Sequence, residues 1–192
     1  MTGYPARRRT VLAVLAAAGL AGCDSTPEAG PAPTETPSGG PEPGYQRPFE
    51  LPLDGVDPCA LLGTADLDAL GVNSTPRRSG AACSFDVDRT EPYYSYVLET
   101  MIDTGLDSMP AGARRAHRML IRRDTVAGFP ALTRYRKGRW PSDCQTLVGV
   151  ARGQTLRAQL YPVSPRAFGL RQLCDMSERV ATLAVQTLRA RK

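Results

Sequence analysis

Residues 24–48 form a segment that cannot contribute to a hydrophobic core. Its 25 residues include seven prolines and four glycines, and they contain no valine, isoleucine, leucine or phenylalanine. A segment of this composition buries too little apolar surface to offset the entropy lost on folding. The segment therefore predicts a disordered linker and confines the core to residues 49–192. These 144 residues suit one domain better than two.

Residues 1–22 have the parts of an export signal. Three arginines at 7–9 precede a 12-residue apolar stretch at 11–22, which is too short to span a bilayer. The sequence Leu20-Ala21-Gly22-Cys23 resembles the bacterial lipobox, in which the chain is cleaved just before a cysteine that receives a diacylglyceryl group. We therefore predict a signal peptide at 1–22 and a lipidated Cys23 that begins the linker 23–48.

The expected location is the extracytoplasmic face of the cell membrane, with the acyl chains (palmitate among them) at Cys23 as the membrane contact. Two acyl chains suffice for stable anchoring. The export route stays open, because Arg8-Arg9 also resembles a twin-arginine motif for folded export. The threonines beside prolines resemble mannosylated linkers of actinobacterial lipoproteins, but a bare spacer is equally expected.

Four cysteines lie beyond Cys23, and an even number in an exported chain indicates disulfides. The sequence has no Cys-x-x-Cys pair, which argues against a redox motif and a zinc ribbon. Three pairings are possible. We expect Cys59–Cys83 and Cys144–Cys174, because each pair closes a short loop and joins a predicted helix to a predicted strand.

The hydrophobic pattern predicts short helices near 57–71, two strands, a helix at 114–123, three strands and a final helix at 165–190. Arg152-Gly153 predicts the turn between the last two strands. The final helix is predicted to bury one face, formed by Leu170, Leu173, Cys174, Ser177, Ala181, Ala184 and Leu188. The expected fold class is α+β: a single small domain with an antiparallel sheet covered by helices and with two disulfides.

Several short segments together resemble the DUF3558 family of actinobacterial lipoproteins. Ser84-Phe85 departs from the pattern, because a tryptophan is expected two positions after Cys83. The resemblance implies an envelope lipoprotein and brings no catalytic residues. The segments are Asp57-Pro58-Cys59-Ala60-Leu61-Leu62, Leu70-Gly71-Val72, Cys83 before a strand, Gly128-Phe129-Pro130-Ala131, Cys144-Gln145 and Leu173-Cys174.

Few residues suggest catalysis. Asp86 and Asp88 lie two apart on a predicted strand, and Glu91 follows, so the three are candidates for acid/base groups or a Ca²⁺ site; a solvated strand face is the alternative. His117 is the one histidine of the sequence and lies on the apolar side of its predicted helix. No phosphate loop, dinucleotide fingerprint or metal-ligand spacing is present. We expect no cofactor, no metal and no enzymatic activity.

Charge divides the predicted domain into two parts. Residues 49–111 carry 3 basic and 11 acidic side chains, whereas residues 112–192 carry 17 basic and 4 acidic ones. Arg114, Arg115, Arg118 and Arg122 lie on the helix predicted at 114–123 and are candidates for binding an anionic surface. The alternative is that the two parts neutralise each other and that this helix is only solvated. Nucleic acid is not an expected partner in this compartment.

The sequence favours a surface-tethered envelope lipoprotein that serves as a non-enzymatic binding or accessory module for a protein or an envelope glycolipid. Two alternatives stay open. One is an envelope hydrolase that uses Asp86, Asp88 and Glu91. The other is a carrier that holds a hydrophobic ligand between the final helix and the sheet.

Overall fold

Residues 45–109, 119–136, 138 and 140–192 are described in the structure, which is a computed structural model. They form a single domain in which one sheet supports a long helix. The strands are β1 (Arg77–Ser79), β2 (Ala82–Val87), β3 (Tyr94–Met101), β4 (Met119–Val126), β5 (Phe129–Arg136), β6 (Cys144–Ala151) and β7 (Gln154–Pro162), and the helices are a 3₁₀ turn (Pro58–Leu61), α1 (Thr64–Leu70) and α2 (Leu170–Ala190).

The sheet is antiparallel throughout, in the order β1-β2-β3-β7-β6-β5-β4. The expected α+β fold class is confirmed. The predicted strands at β2, β3, β6 and β7 are present, and Arg152-Gly153 makes the tight turn between β6 and β7, with Gly153 at φ +69°. A positive φ suits glycine because it has no Cβ. β7 lies between β6 and β3, and this pairing joins the two halves of the sheet.

Helix α2 lies on β6 and β7 through the apolar face that its sequence pattern predicts. Leu173, Ala181 and Ala184 are fully buried, and the small alanines let the helix approach the sheet closely. Ser177 Oγ lies 2.7 Å from Thr146 Oγ1 of β6, so these two buried hydroxyl groups are hydrogen-bonded to each other. Within the described residues, no helix has the length and apolar character needed to cross a membrane.

Both predicted disulfides are confirmed. Cys144 at the start of β6 is bonded to Cys174 in the first turns of α2, with Cα atoms 5.1 Å apart. Cys59 in the 3₁₀ turn is bonded to Cys83 of β2, also with a Cα separation of 5.1 Å. Each bond therefore holds a helical element on the sheet.

The prediction of a helix at 114–123 is wrong for residues 119–123, which lie in β4. This strand pairs with β5 along its whole length and is connected to it by Ala127 and Gly128, both at positive φ. Leu120 and Ile121 fit a helical spacing, but as strand neighbours they face opposite sides of the sheet. Residues 110–118 lie outside the described residues, and with them the remainder of that predicted helix. The first of the three strands predicted after that helix corresponds to β5, which follows the turn at Ala127 and Gly128.

The described chain begins at Tyr45, four residues before the predicted start of the domain. Tyr45 packs against the cluster of Leu106, Leu132 and Leu147, and the guanidinium of Arg123 lies 5.3 Å from its ring centroid. The aromatic ring thus adds an apolar contact to this cluster.

The two disulfides offer a matched stability test. Removal of Cys144 and Cys174 by substitution with alanine should lower the free energy of unfolding by about 2–4 kcal/mol, because the denatured chain regains loop entropy. The Cys59→Ala/Cys83→Ala variant is the control. Its loop of 24 residues is close in length to the loop of 30, so chain entropy alone predicts that the two losses differ by only about 0.2 kcal/mol.

Guanidinium denaturation of the oxidised proteins measures both losses. A clearly larger loss for the Cys144–Cys174 pair would show that it also maintains the packing of α2. Unchanged stability in both variants would contradict the structural role assigned to the disulfides.

Candidate binding site on the polar face of the sheet

The two faces of the sheet differ in chemistry. Side chains alternate along a strand, so Cys144 and Thr146 of β6 face α2 while Gln145 and Leu147 face the other side. We call that other side the polar face. The strand register places Gln159 beside Gln145 and Arg157 beside Leu147 on this face.

Four residues of the polar face form a hydrogen-bonded cluster that we call the Arg134 network: Arg134, Asp143, Gln145 and Gln159. The side-chain amides of Gln145 and Gln159 donate to Asp143 Oδ2 at 2.9 and 2.7 Å. Arg134 Nε donates to Gln145 Oε1 at 2.6 Å. Asp143, Gln145 and Gln159 are buried, whereas Arg134 is partly exposed. The buried members therefore hold the orientation of an arginine that solvent can reach.

An ion pair lies next to this network. Glu99 of β3 and Arg157 of β7 are directly opposite in the strand register, and their charged groups are in contact. About a quarter of each side chain is exposed, 26% for Glu99 and 25% for Arg157. Together with Asp143 and Arg134, this pair makes one cluster of two positive and two negative charges. The strand register places Arg123 and Arg136 on the same face as well.

These charges and their burial influence neighbouring pKa values. Burial lowers the pKa of Arg134, and the positive charge of Arg157 lowers it further, while Asp143 and Glu99 act in the opposite direction. Burial raises the pKa of Tyr161, against the opposing effect of Arg157. The phenol of Tyr161 accordingly stays protonated at neutral pH and can donate a hydrogen bond.

Exposed apolar side chains lie at the end of the sheet where β6 begins and β7 ends. Tyr161 is 40% exposed, Val163 is 65% exposed and Trp140 is 52% exposed. The guanidinium of Arg166 lies 5.1 Å from the centroid of the Trp140 ring. The polar cluster is therefore bordered by aromatic surface, the combination found at sites where one part of a ligand is polar and another apolar.

The three carboxylates predicted as acid/base candidates have separate partners. Asp86 accepts a hydrogen bond from Arg77 at 2.6 Å, and Asp88 and Glu91 each accept one from a different serine. Among the described residues, no group of three or more acidic, histidine or cysteine side chains is arranged to hold a metal ion. The strand spacing placed Asp86 on β2 correctly, but the structure gives each carboxylate its own hydrogen-bonding environment.

Of the candidate anion-binding arginines, only Arg122 lies within the described residues; Arg114, Arg115 and Arg118 do not, and neither does His117. Arg122 lies on β4 rather than on a helix, and it forms an ion pair with Asp124 at 2.7 Å. The prediction that Arg122 lies on a helix is therefore wrong. Anion binding by these residues stays a prediction.

Sequence reasoning missed the Arg134 network. Its signal was present in β7, where the polar residues Thr155, Arg157 and Gln159 alternate with apolar ones. That alternation was used only to predict strands. The residues of the network also come together only because β5, β6 and β7 pair with one another, and a local sequence pattern does not predict which strands pair.

Comparison with known proteins gives a family but no activity. The model of the DUF3558 family, described as a protein of unknown function, matches residues 18–187. No curated protein and no solved structure matches the chain significantly. The matched range includes the four paired cysteines and the whole Arg134 network. Because the function of the family is unknown, a role for this network follows only from its own chemistry.

The Arg134 network can be tested through stability. Gln159→Leu removes a donor to the buried Asp143 carboxylate at nearly constant side-chain volume. It should lower the free energy of unfolding by about 1–3 kcal/mol, because the carboxylate loses a partner that water cannot replace. Gln172→Leu, on the exposed side of α2, is the control and should have little effect. Urea denaturation compares the two, and equal stability would mean that the network is dispensable for folding.

Proposed function

Since the chain belongs to the DUF3558 family, whose function is unknown, we propose its function from the site itself. We propose that it is an envelope lipoprotein of actinobacterial type, held on the extracytoplasmic face of the membrane by Cys23. In this proposal its domain is a non-enzymatic binding or accessory module for a protein or glycolipid of the envelope. The observation that carries the proposal is the Arg134 network, which presents a partly exposed arginine on buried, mutually bonded side chains.

The anchor and the location are supported by the sequence. Leu20-Ala21-Gly22-Cys23 follows a short apolar stretch with arginines before it, the arrangement of a lipoprotein signal. The two disulfides of the domain support an oxidising compartment, because such bonds persist outside the cytoplasm.

Binding is favoured over catalysis by the state of the candidate groups. On the polar face Glu99 is paired with Arg157, and Asp143 is occupied by two amide donors. A hydrolase would use Asp86, Asp88 and Glu91, but a general acid and base must both reach one substrate bond. Their separate arginine and serine partners give less support to that alternative.

The carrier alternative also has less support. It needs an enclosed apolar cavity between α2 and the sheet. That interface is filled by side chains with almost no exposure, among them Leu173, Val180 and Leu156. The two grooves found along α2 are lined instead by residues of its outward side, such as Asp175 and Arg179.

Lipidation has a direct test. Cys23→Ala should leave an unlipidated precursor, because alanine has no thiol to receive the diacylglyceryl group that supplies the stable membrane contact. Membrane fractionation together with labelled palmitate measures this change. The variant should keep both disulfides, since Cys23 takes part in neither. Label on the Cys23→Ala chain would contradict the assignment of the lipid to this cysteine.

The binding role is tested by crosslinking from two positions in the membrane-bound chain. A photoreactive residue in place of Val163, which is exposed just after β7 and two residues beyond Tyr161, should capture a reproducible protein or glycolipid. The same photoreactive residue in place of Ile102 is the control. Ile102 is also exposed (45%), but it follows Met101 of β3 and therefore lies at the opposite end of the β3–β7 pair from Val163.

The Val163 adduct should decrease in the Arg157→Gln variant and persist in Arg152→Gln, which removes an exposed arginine at the β6–β7 turn. Mass spectrometry identifies the adducts. Identical adducts from both positions, or none from Val163, would contradict a binding role for this face.

A further inference from the structure

The polar cluster has features that indicate one class of ligand. We propose that the Arg134 network, the Glu99–Arg157 pair and the neighbouring ring of Tyr161 form a binding site for a neutral saccharide, with Trp140 at the same end of the sheet. This inference rests on the proposed function, and it selects the glycan of an envelope glycolipid over a protein as the partner.

Charge balance argues for a neutral ligand. Arg134 and Arg157 are accompanied by Asp143 and Glu99, so these four groups carry no net charge, and the nearby Arg166 lies over the Trp140 ring. A site for a phosphate or carboxylate group normally concentrates positive charge without carboxylates among its cations. A saccharide hydroxyl donates and accepts at once, and it therefore suits a surface on which cations and carboxylates lie side by side.

The hydrogen-bonding groups are held in place before any ligand arrives. Arg134 Nε is fixed by Gln145 Oε1, and Gln145 is fixed in turn by Asp143. Arg134 is partly exposed, so its guanidinium can donate to a ligand hydroxyl while its Nε holds Gln145. Such preorganisation lowers the entropy lost on binding. Asp143, Gln145 and Gln159 act as positioning residues, and Arg134, Arg157 and Glu99 are the expected contacts.

The aromatic border completes the site. The faces of a pyranose or furanose ring expose C–H groups that pack on aromatic rings while the hydroxyls point sideways. Tyr161 lies two residues beyond Gln159 in β7, so its side chain is on the same face of the sheet as Gln159 and Arg157. Its ring is 40% exposed, so it offers both an apolar surface and a protonated hydroxyl.

A protein partner fits this centre less well. The centres of protein interfaces are depleted in charged residues and enriched in large apolar ones, with charges at the rim. Here the arrangement is reversed, because four charged side chains lie in the centre and the exposed aromatic and aliphatic side chains lie at one edge. This reversal favours a saccharide over a protein as the ligand of this site.

The test uses the full lipidated chain in detergent micelles on an array of neutral oligosaccharides built from hexoses and pentoses. Matched oligosaccharides that carry uronic acid or phosphate groups form the second arm. Trp140 is the one tryptophan of the sequence, so a change in intrinsic fluorescence on titration with a bound glycan reports directly on this end of the sheet. We expect binding to neutral glycans together with a fluorescence change.

Matched variants connect the binding to the site. Tyr161→Ala and Arg134→Gln should each weaken binding about tenfold, the effect of one lost packing or charged hydrogen-bond contact. Leu120→Ala and Arg152→Gln are the controls: Leu120 is exposed to 42%, close to the 40% of Tyr161, and Arg152 has the same charge as Arg134. Tyr161→Phe keeps the ring and should retain most of the affinity. If circular dichroism melts show that Arg134→Gln lowers the stability of the fold, the comparison of Tyr161→Ala with Tyr161→Phe still tests the site.

The outcomes separate this inference from the proposed function. Binding to charged glycans alone, or equal binding by Tyr161→Ala and the parent chain, would overturn the neutral-saccharide site. If no glycan binds and crosslinking from Val163 returns a protein partner, the saccharide inference is wrong while the binding function stands. If neither assay returns a partner, both are wrong.

Discussion

The packing of α2 against β6 and β7 is the contact on which the rest of the described fold depends. A helix is roughly 10 Å wide and neighbouring strands are about 4.8 Å apart, so one helix covers about two strands. The remaining strands on this side need other cover. The 3₁₀ turn is held on β2 by Cys59–Cys83, and Phe49 packs edge-to-face on Phe129 of β5 at 5.4 Å between ring centroids. Three separate pieces of chain therefore close the apolar core, and disulfides hold two of them.

The opposite face of the same central strands is where polar side chains are buried. A buried carboxylate such as Asp143 is costly unless it has hydrogen-bonding partners. Gln145 and Gln159 supply them from the two central strands that α2 covers on the other side. A fully satisfied network of this kind fixes side-chain positions. The rigidity of β6 and β7 under α2 thus explains how a polar cluster on the other face keeps one geometry.

Sequence patterns predicted those parts of the fold that depend on local order. The disulfide pairing followed from short loops, and β6, β7 and α2 followed from regular hydrophobic spacing. β4 was mistaken for a helix because it is an edge strand. Its side chains alternate weakly in burial, and the neighbours Leu120 and Ile121 satisfy a helical spacing equally well. β1 was missed because its three residues are all exposed and carry no apolar signal.

The candidate site was beyond sequence reasoning for a different reason. Arg134, Asp143, Gln145 and Gln159 come from three strands and a loop, and only the order β5-β6-β7 brings them together. The residues that sequence analysis did select, Asp86, Asp88 and Glu91, are close in the chain. Proximity in sequence made them visible as a motif, whereas function at a sheet surface depends on neighbours across strands.

The division of charge along the chain separates two modes of binding, attraction by exposed arginines and recognition at the polar face. Among the described ion pairs, Glu99–Arg157 joins the acidic part 49–111 to the basic part 112–192, while pairs such as Arg77–Asp86 and Arg122–Asp124 lie within one part. Within the described residues, direct contact therefore neutralises little of the basic excess. It leaves a positively charged chain with a locally neutral polar cluster. Salt screens exposed charges but has little effect on a neutral hydrogen-bonding site. Dependence on ionic strength consequently distinguishes attraction of an anionic surface by the exposed arginines from recognition at the Arg134 network.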